Sequence, residues 1–311
     1  MSIEELKTRF IDNMNFLLSL SNREHIFYKK RQEIVLYQKD AKEAKKIESK
    51  FWHPTNLLDK ELTIKEISEL EPEIVYIDRY KDRKSAREWY LSRIFCSNGD
   101  FEFNVGRFLR FIIKDKTTGK YLGIASLGSD VLKIKSRDSL IGWDQKIKSK
   151  KIRHTAIAST VIPFQPFGYN FLGGKLIAVL LQTEYIRNLW KEKYGDTLVG
   201  MTTTSVFGKH SMYQRIPGWK ELDETQGRMI LIADDEYFDP LHEYIKTEHT
   251  EEYRNRLWKD GKPVTSQRQK ILFMIMKFCG LPRNSYENGY KRGVFFSQFY
   301  RNTKEFLRNE C

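Results

Sequence analysis

The segment RDSLIGWD at residues 137–144 combines charged side chains with a tryptophan, a set suited to a nucleic-acid or metal site. The guanidinium of Arg137 can hold a phosphate through two parallel hydrogen bonds, and Asp138 or Asp144 can act as a base or metal ligand. Trp143 offers a ring on which a base can stack. The same pattern fits an Arg–Asp pair that fixes a loop, with the indole as its apolar plug. The sequence leaves both interpretations open.

A basic run follows directly. Residues 146–153 read KIKSKKIR, with five bases and no acid. Such side chains neutralise phosphates and give an affinity that falls with salt. We therefore predict nucleic-acid contact here, with a solvated basic loop as the alternative. The predicted nucleic-acid-binding residues are Arg137, Trp143, Lys146, Lys148, Lys150, Lys151 and Arg153.

A strand, a loop and a helix follow one another after the basic run. Residues 154–162 are rich in β-branched side chains, Pro163 breaks the pattern, and a helical pattern runs from about residue 171 to 194. A helix N-terminus behind such a loop presents free backbone N–H groups and partial positive charge, which suits a pyrophosphate. The loop glycines let backbone or ligand approach closely. A plain connector is the alternative.

Candidate proton-transfer groups flank this segment. His154 begins the strand, and His210 lies three residues before Tyr213. A His, a Tyr and an Asp around one cleft can move protons during N- or O-acylation, although a lone His is more often a surface residue. Ser159 and Thr203 are polar residues at strand positions, where they can bind a ligand or satisfy a strand edge. The sequence contains no pattern for a covalent nucleophile, a Walker A loop or a Rossmann fingerprint.

Composition limits the partners and the compartment. The 311 residues include 54 Lys and Arg against 41 Asp and Glu, a net charge of +13, which favours a polyanionic partner. Residues 251–311 alone carry 13 bases and 6 acids. Three separated cysteines disfavour a disulfide framework or a zinc finger and fit a reducing cytoplasm. No apolar run approaches the roughly 20 residues of a membrane span, and the charged start is unlike a signal peptide.

The hydrophobic pattern predicts an α+β fold in three parts. Residues 1–99 are predicted to be a helical N-terminal region, 100–235 the core, and 236–311 a basic helical C-terminal extension. The predicted helices are 1–20, 22–50, 63–70, 85–95, 171–194 and 208–215. The predicted strands are 73–77, 108–113, 121–126, 154–162, 198–204 and 228–232, with 128–153 irregular.

The order of hairpin, strand–loop–helix, strand and short helix resembles the GNAT acyltransferase fold. In that family the loop after the fourth strand binds the pyrophosphate of acetyl-CoA and usually reads Q/R-x-x-G-x-G/A. Here residues 165–170 read QPFGYN, with Asn170 in place of the last small residue. The family's tyrosine before Gly-Phe, often a general acid, matches Tyr213 ahead of Gly218-Trp219, with one extra residue between them.

This resemblance implies a GNAT-like mixed β-sheet flanked by helices, and acetyl-CoA or a related acyl donor as a possible cofactor. The residues that it places at the donor are Gln165, Gly168, Asn170, Gly173, Gly174 and Lys175.

A longer series of motifs covers residues 107–230. It includes RDSLIGWD at 137–144, TTT at 202–204, FG at 207–208 and TQG at 225–227. The series resembles the family that includes the DruA protein of Druantia anti-phage systems, whose relatives occur in phages and fused to transposases. The phage Mom proteins, which modify adenine in DNA, also have a GNAT-like fold, and residues 291–308 are similar to the ends of Mom-like proteins.

These resemblances imply a phage or mobile-element transferase that adds a small acyl- or carbamoylmethyl-type group to a base amine of DNA, with adenine preferred. The base would be extruded from the duplex or single-stranded. One alternative is a non-catalytic DNA-binding component of a Druantia-type defence or transposition system; another is a CoA-dependent N-acetyltransferase of a protein or small amine. DNA is the expected partner, without a membrane, in the cytoplasm of a bacterial host cell. Iron or another metal is possible. The expected catalytic residues are Tyr213, Asp138, Asp144, His154 and Ser159.

Overall fold

The computed structural model describes residues 2–28, 38–96, 106–171, 173–205, 208, 212–227, 230–264 and 267–310, leaving aside the side chains of 38–41, 169 and 170. The helices are α1 (Ile3–Ser19), α2 (Gln38–Ile47), α3 (Lys60–Ser68), α4 (Arg83–Cys96), α5 (Lys135–Ile141), α6 (Gln145–Lys151), α7 (Phe167–Asn170), α8 (Gly173–Leu180), α9 (Glu184–Tyr194), α10 (Asp235–Glu248), α11 (Thr250–Leu257), α12 (Gln267–Phe278) and α13 (Thr303–Leu307). The strands are β1 (Pro72–Ile77), β2 (Phe108–Asp115), β3 (Tyr121–Ser129), β4 (Thr155–Pro163), β5 (Gly200–Ser205), β6 (Trp219–Glu224), β7 (Trp258–Lys259), β8 (Lys262–Pro263) and β9 (Gly293–Gln298).

A seven-stranded mixed sheet forms the centre of the fold, in the order β1-β2-β3-β4-β5-β9-β6. Strands β1, β2, β3 and β4 pair antiparallel in that order, β4 and β5 are parallel, and β9 pairs antiparallel with both β5 and β6. The predicted hairpin and the strands β1, β4 and β5 are confirmed. The α+β class is confirmed with them, as a large mixed sheet flanked by helices.

Alternating side chains of the sheet enter two different hydrophobic clusters. In β2, Phe111 packs in one cluster with Ile177 of α8 and Trp190 of α9. Its neighbour Ile112 packs in the other with Ile47 of α2 and Trp89 of α4. The period of two along a strand places these residues on opposite faces. Helices therefore cover both faces of this part of the sheet.

The chain divides into two compact units, and the three-part organisation stays a prediction. One unit combines Met1–Tyr28 with Gln226–Tyr290, and the other combines Lys29–Thr225 with Lys291–Cys311. The predicted C-terminal extension was expected to be helical, but β9 lies inside the sheet between β5 and β6. The physical reason is the apolar run of β9, whose Val294, Phe295 and Phe296 are fully buried. Its pairing partners lie far away in sequence, so local pattern did not reveal it.

The first unit is a helical core that contains a buried reciprocal hydrogen-bond pair. Phe10 and Met14 of α1 pack in a hydrophobic cluster with Leu241 of α10. The Asn13 amide donates to the Asp234 carboxylate at 2.7 Å, and the backbone N–H of Asp234 donates back to Asn13 Oδ1 at 3.0 Å. This reciprocal pair satisfies one carboxylate oxygen and the backbone N–H of Asp234, just before α10 begins.

Two further predictions of local structure were wrong. Residues 128–153, expected to be irregular, contain α5 and α6. Gly142 separates the two helices, because it adopts the left-handed conformation that ends α5 (φ 80°). The Asp144 side chain then caps α6 by accepting the backbone N–H of Ile147 at 2.8 Å. The helix expected at 171–194 is two helices, since Thr183 is extended between them.

Some predictions fall partly outside the described residues. Residues 29–37 of the expected helix 22–50, residues 209–211 of the expected helix 208–215 and residues 228–229 of the expected last strand are among these. The described end of that strand, Ile230, makes only an isolated bridge to Glu287. Among the described helices, none has the length and apolar character needed to cross a membrane.

We predict that Gly173→Ala destabilises the protein by about 1–3 kcal/mol through overpacking. A methyl group at Gly173 would lie 2.4 Å from the Phe167 ring and 2.9 Å from the Phe167 carbonyl oxygen. Gly174→Ala is the matched control, because its methyl would press only on the flexible Met212 side chain, at 3.1 Å, and would lie at an ordinary contact distance of 3.6 Å from Pro163 Cγ. Urea unfolding checks this; equal losses for the two variants would contradict it.

Candidate nucleic-acid interface

A buried ion-pair network underlies the RDSLIGWD segment. The Arg137 side chain is fully buried, and its Nη1 lies 2.7 Å from Asp130 Oδ1. Its Nη2 and Nε donate to Asp138 Oδ1 at 2.7 and 3.0 Å, and Nη2 also donates to the Val131 carbonyl oxygen at 2.8 Å. The guanidinium is therefore committed to protein groups, and the predicted phosphate contact of Arg137 is not available in this conformation.

The network links α5, α6 and the sheet. The second oxygen of Asp138 accepts from Lys148 Nζ at 2.9 Å, and Lys148 is itself buried. At the other end, Asp130 Oδ2 accepts from the Thr202 hydroxyl of β5 at 3.0 Å. Burial raises the pKa of Asp130, and the adjacent Arg137 opposes that rise. Of the two interpretations of the segment, the geometry fits the Arg–Asp pair that fixes a loop.

Trp143 and Asp144 have structural roles in the same network. The indole N–H of Trp143 donates to the Leu307 carbonyl oxygen at 2.8 Å, and the Arg137 guanidinium lies 5.2 Å from the centre of the indole ring. Asp144 caps α6, as described above. The predicted roles of Asp138 and Asp144 as base or metal ligand therefore compete with bonds already formed. Lys148 is excluded from direct phosphate contact in this conformation by its burial against Asp138.

The remaining bases of the run divide into exposed and committed side chains. Lys146 and Lys150 of α6 are exposed and stand one helical turn apart, on the same face. Lys151 Nζ lies 3.9 Å from the centre of the Phe306 ring, and Arg153 Nε pairs with the buried Asp196 at 2.6 Å. Only part of the predicted basic run is therefore presented to solvent without a partner acid.

Sequence reasoning missed three residues of this region. Asp130 anchors the network. Lys133 is exposed in the turn before α5, and Lys135 is exposed as the first residue of α5. Residues 130–153 contain eight bases and three acids, so a wider charge window would have found the two lysines. We define the basic surface as Lys133, Lys135, Lys146 and Lys150, which take part in none of the ion pairs found among the described residues.

The predicted proton-transfer residues Tyr213 and His154 each contact other groups of the protein. Tyr213 is only 5% exposed, and its ring lies 4.8 Å from those of Trp219 and Phe295. Burial raises the pKa of Tyr213 to about 12, and a hydrogen bond with the Thr203 side chain opposes the rise. His154 Nδ1 lies 2.9 Å from the Thr197 carbonyl oxygen. His210 lies outside the described residues.

A group of hydroxyls lies where β4 and β5 separate. The two strands pair only over Thr155–Ile157 and Gly200–Thr202, and the register of β3 and β4 shifts so that Ser159 is an extra residue of β4. Ser159 Oγ is 2.9 Å from Ser126 Oγ. The Thr203 hydroxyl donates to the Ala158 carbonyl oxygen at 2.9 Å, which bridges the parting strands.

In the loop predicted to hold an acyl donor, the described groups mostly bond or pack with other parts of the same chain. The backbone N–H of Gly168 donates to the Phe164 carbonyl oxygen at 2.7 Å, and Gly173 and Gly174 are buried. Lys175 Nζ donates to the Gln214 carbonyl oxygen. The Asn170 side chain lies outside the description, and Gln165 is exposed. These glycines serve close packing, so the described part of the loop fits a pyrophosphate poorly.

Comparison with known proteins identifies the family. Residues 28–309 match the profile of the family described as DruA, Druantia protein DruA. The chain belongs to the DruA family. It is 29% identical over 221 residues to Druantia protein DruA of Escherichia coli (strain UMEA 4076-1). That alignment covers 65% of this chain and 54% of the relative, so the chain spans about half the length of this DruA protein. No solved structure matches the chain.

The described residues contain no group of three His, Cys, Asp or Glu side chains placed to hold a metal ion. Iron or another metal thus remains a sequence-based expectation, and the residues above give it no ligand set.

We predict that Arg137→Met destabilises the second unit by about 3–5 kcal/mol, because it leaves Asp130 buried without its counter-charge. Urea denaturation followed by tryptophan fluorescence measures the loss. Lys150→Met removes an exposed base of α6 and should change stability by no more than about 0.5 kcal/mol. A network of no structural importance would give similar values for both variants.

Proposed function

We propose that this DruA-family chain is a nucleic-acid-binding component of a Druantia-type anti-phage defence system, and that DNA binds at the basic surface. The observation that carries the proposal is the presentation of Lys146 and Lys150 on one exposed face of a helix that is tied to the sheet. Their charges neutralise phosphates without prior breaking of ion pairs. The name of the Escherichia coli relative supports the defence context.

The buried network supports this proposal by fixing α6. Lys148 projects from the middle of α6 to Asp138, while Lys146 and Lys150 lie on either side of it in sequence and stay exposed. Asp144 caps the start of α6, and the bond between Lys148 and Asp138 ties the helix to α5. A cationic face whose backbone is already ordered loses less conformational entropy on binding than a flexible basic loop does.

Binding to phosphates predicts a specific salt dependence. In Lys146→Gln/Lys150→Gln we expect weaker binding to a random-sequence duplex. The slope of log K against log salt should fall by about 0.9 for each lost phosphate contact, hence by up to about 2. Fluorescence anisotropy across a salt series measures both quantities.

The matched control is Lys60→Gln/Lys84→Gln, which removes the same charge from two exposed lysines at the starts of α3 and α4. It should keep the wild-type slope. If both double variants change the slope equally, the net charge of +13 acts without a defined surface, and the proposal is wrong.

A second candidate function is the modification of a nucleic-acid base on a GNAT-like fold. It is favoured by the hydroxyls of Ser126, Ser159 and Thr203, which lie where β4 and β5 separate. A tyrosine whose pKa is near 12 is protonated at neutral pH, as a proton donor must be. An acyl donor would supply the transferred group. The described part of the donor loop is packed on itself and leaves such a donor no backbone cradle.

Mass spectrometry of nucleosides from cells that express the chain tests this second candidate. It predicts a modified base, lost in Tyr213→Phe, which keeps the ring packing and removes the proton. Tyr286→Phe is the control, because that buried hydroxyl bonds only with Asn15 among the bonds described for it. An unmodified nucleoside profile with folded wild-type protein would reject the candidate, while DNA binding would stay open.

A further inference from the structure

The turn between β3 and α5 exposes apolar side chains directly before Lys133 and Lys135 of the basic surface. Val131 is 46% and Leu132 is 64% exposed. Lys133 follows and is exposed as well. On either side the chain is buried, through the side chain of Asp130 and through Ile134, which is 6% exposed. Residues 131–133 are therefore exposed between two buried side chains, those of Asp130 and Ile134.

The backbone of this turn is fixed from both sides. The Val131 N–H donates to Asp130 Oδ1 at 2.8 Å, and its carbonyl oxygen accepts from Arg137 Nη2 at 2.8 Å. Both partners belong to the buried network. Leu132 is thus presented on an ordered turn, so a contact made by its side chain would not first require the turn to fold.

The same network connects the turn to the basic helix. Arg137 bridges the Val131 carbonyl and Asp138, and Asp138 binds Lys148 in α6. The apolar tip and the face of Lys146 and Lys150 are therefore parts of one ordered assembly. A single exposed leucine is common in proteins. Here, however, Lys133 and Lys135 follow it in sequence, and the network connects its turn to the helix that carries Lys146 and Lys150.

We infer that Leu132, with Val131, is an apolar wedge that enters between base steps of duplex DNA while the basic surface binds the flanking phosphates. Leucine is among the side chains that proteins use to unstack and kink DNA, and lysines beside it supply the phosphate contacts. The inference rests on the proposed function and adds the mode of engagement. Charge complementarity identifies the occupant, because a protein partner with an apolar pocket would not need the four unpaired lysines.

Duplexes that carry 2-aminopurine at pyrimidine–purine steps test the wedge, because these steps unstack most easily and the probe brightens when unstacked. The full chain should raise the fluorescence on binding. In Leu132→Ala and Leu132→Gln the signal should fall to the level of the free duplex. The slope of log K against log salt should stay within about one unit of wild type, since the phosphate contacts remain.

The control is Leu58→Ala, which truncates a leucine that is 95% exposed before α3 and should keep the full fluorescence rise. Salt-dependent binding by wild type without any fluorescence rise would overturn the wedge and leave the proposed function standing. A rise that survives both Leu132 variants, or a change of sedimentation coefficient without DNA in these variants, would also overturn it. Absence of salt-dependent binding by wild type would reject the proposed function itself.

Discussion

This region of the protein depends on the ion pairs that the fully buried guanidinium of Arg137 forms with Asp130 and Asp138. The guanidinium neutralises Asp130 at the end of β3 and Asp138 on α5, and through Asp138 it engages Lys148 of α6. Removing one member of such a group leaves an uncompensated buried charge, which costs far more than loss of a surface pair. The positions of α5 and α6 beside the sheet follow from this network. So does the orientation of the lysines that remain exposed.

The network also explains how the RDSLIGWD segment, whose residue types suit catalysis, can have a structural role. Arg137, Asp138 and Asp144 have the chemistry of a phosphate or metal site, yet each bonds with protein groups. A buried arginine requires carboxylate partners whether or not a ligand ever binds, so residue types alone do not separate the two uses. The DNA contacts proposed above lie instead with side chains outside the motif, at Lys146 and Lys150 and on the turn around Leu132.

Where β4 and β5 separate, the same residues could likewise serve either structure or catalysis. Two parallel strands that pair over three residues leave backbone groups to be satisfied by other means. The Thr203 hydroxyl satisfies one of them at Ala158, and it also bonds with the buried Tyr213. These contacts stabilise the opening of the sheet, and they are the same contacts that a proton-transfer site would use. Nucleoside mass spectrometry separates the two roles.

The sequence alone determined the strands with a clear apolar or β-branched pattern, namely β1, β2, β3, β4 and β5, together with the basic character of the region after residue 144. Local pattern suffices there because each strand must bury its own alternating or apolar side chains. The motif series also pointed correctly to the DruA family.

Only the tertiary structure decided the rest. The place of β9 between β5 and β6 depends on pairing with two strands that lie far earlier in the chain, which no local pattern encodes. The split of the basic run into buried Lys148 and exposed Lys146 and Lys150 depends on which side of α6 meets Asp138. Likewise, Gly173 and Gly174 look alike in sequence, but only the first is packed against the Phe167 ring. Burial and partner geometry, which are set by distant segments, assign the role of each residue.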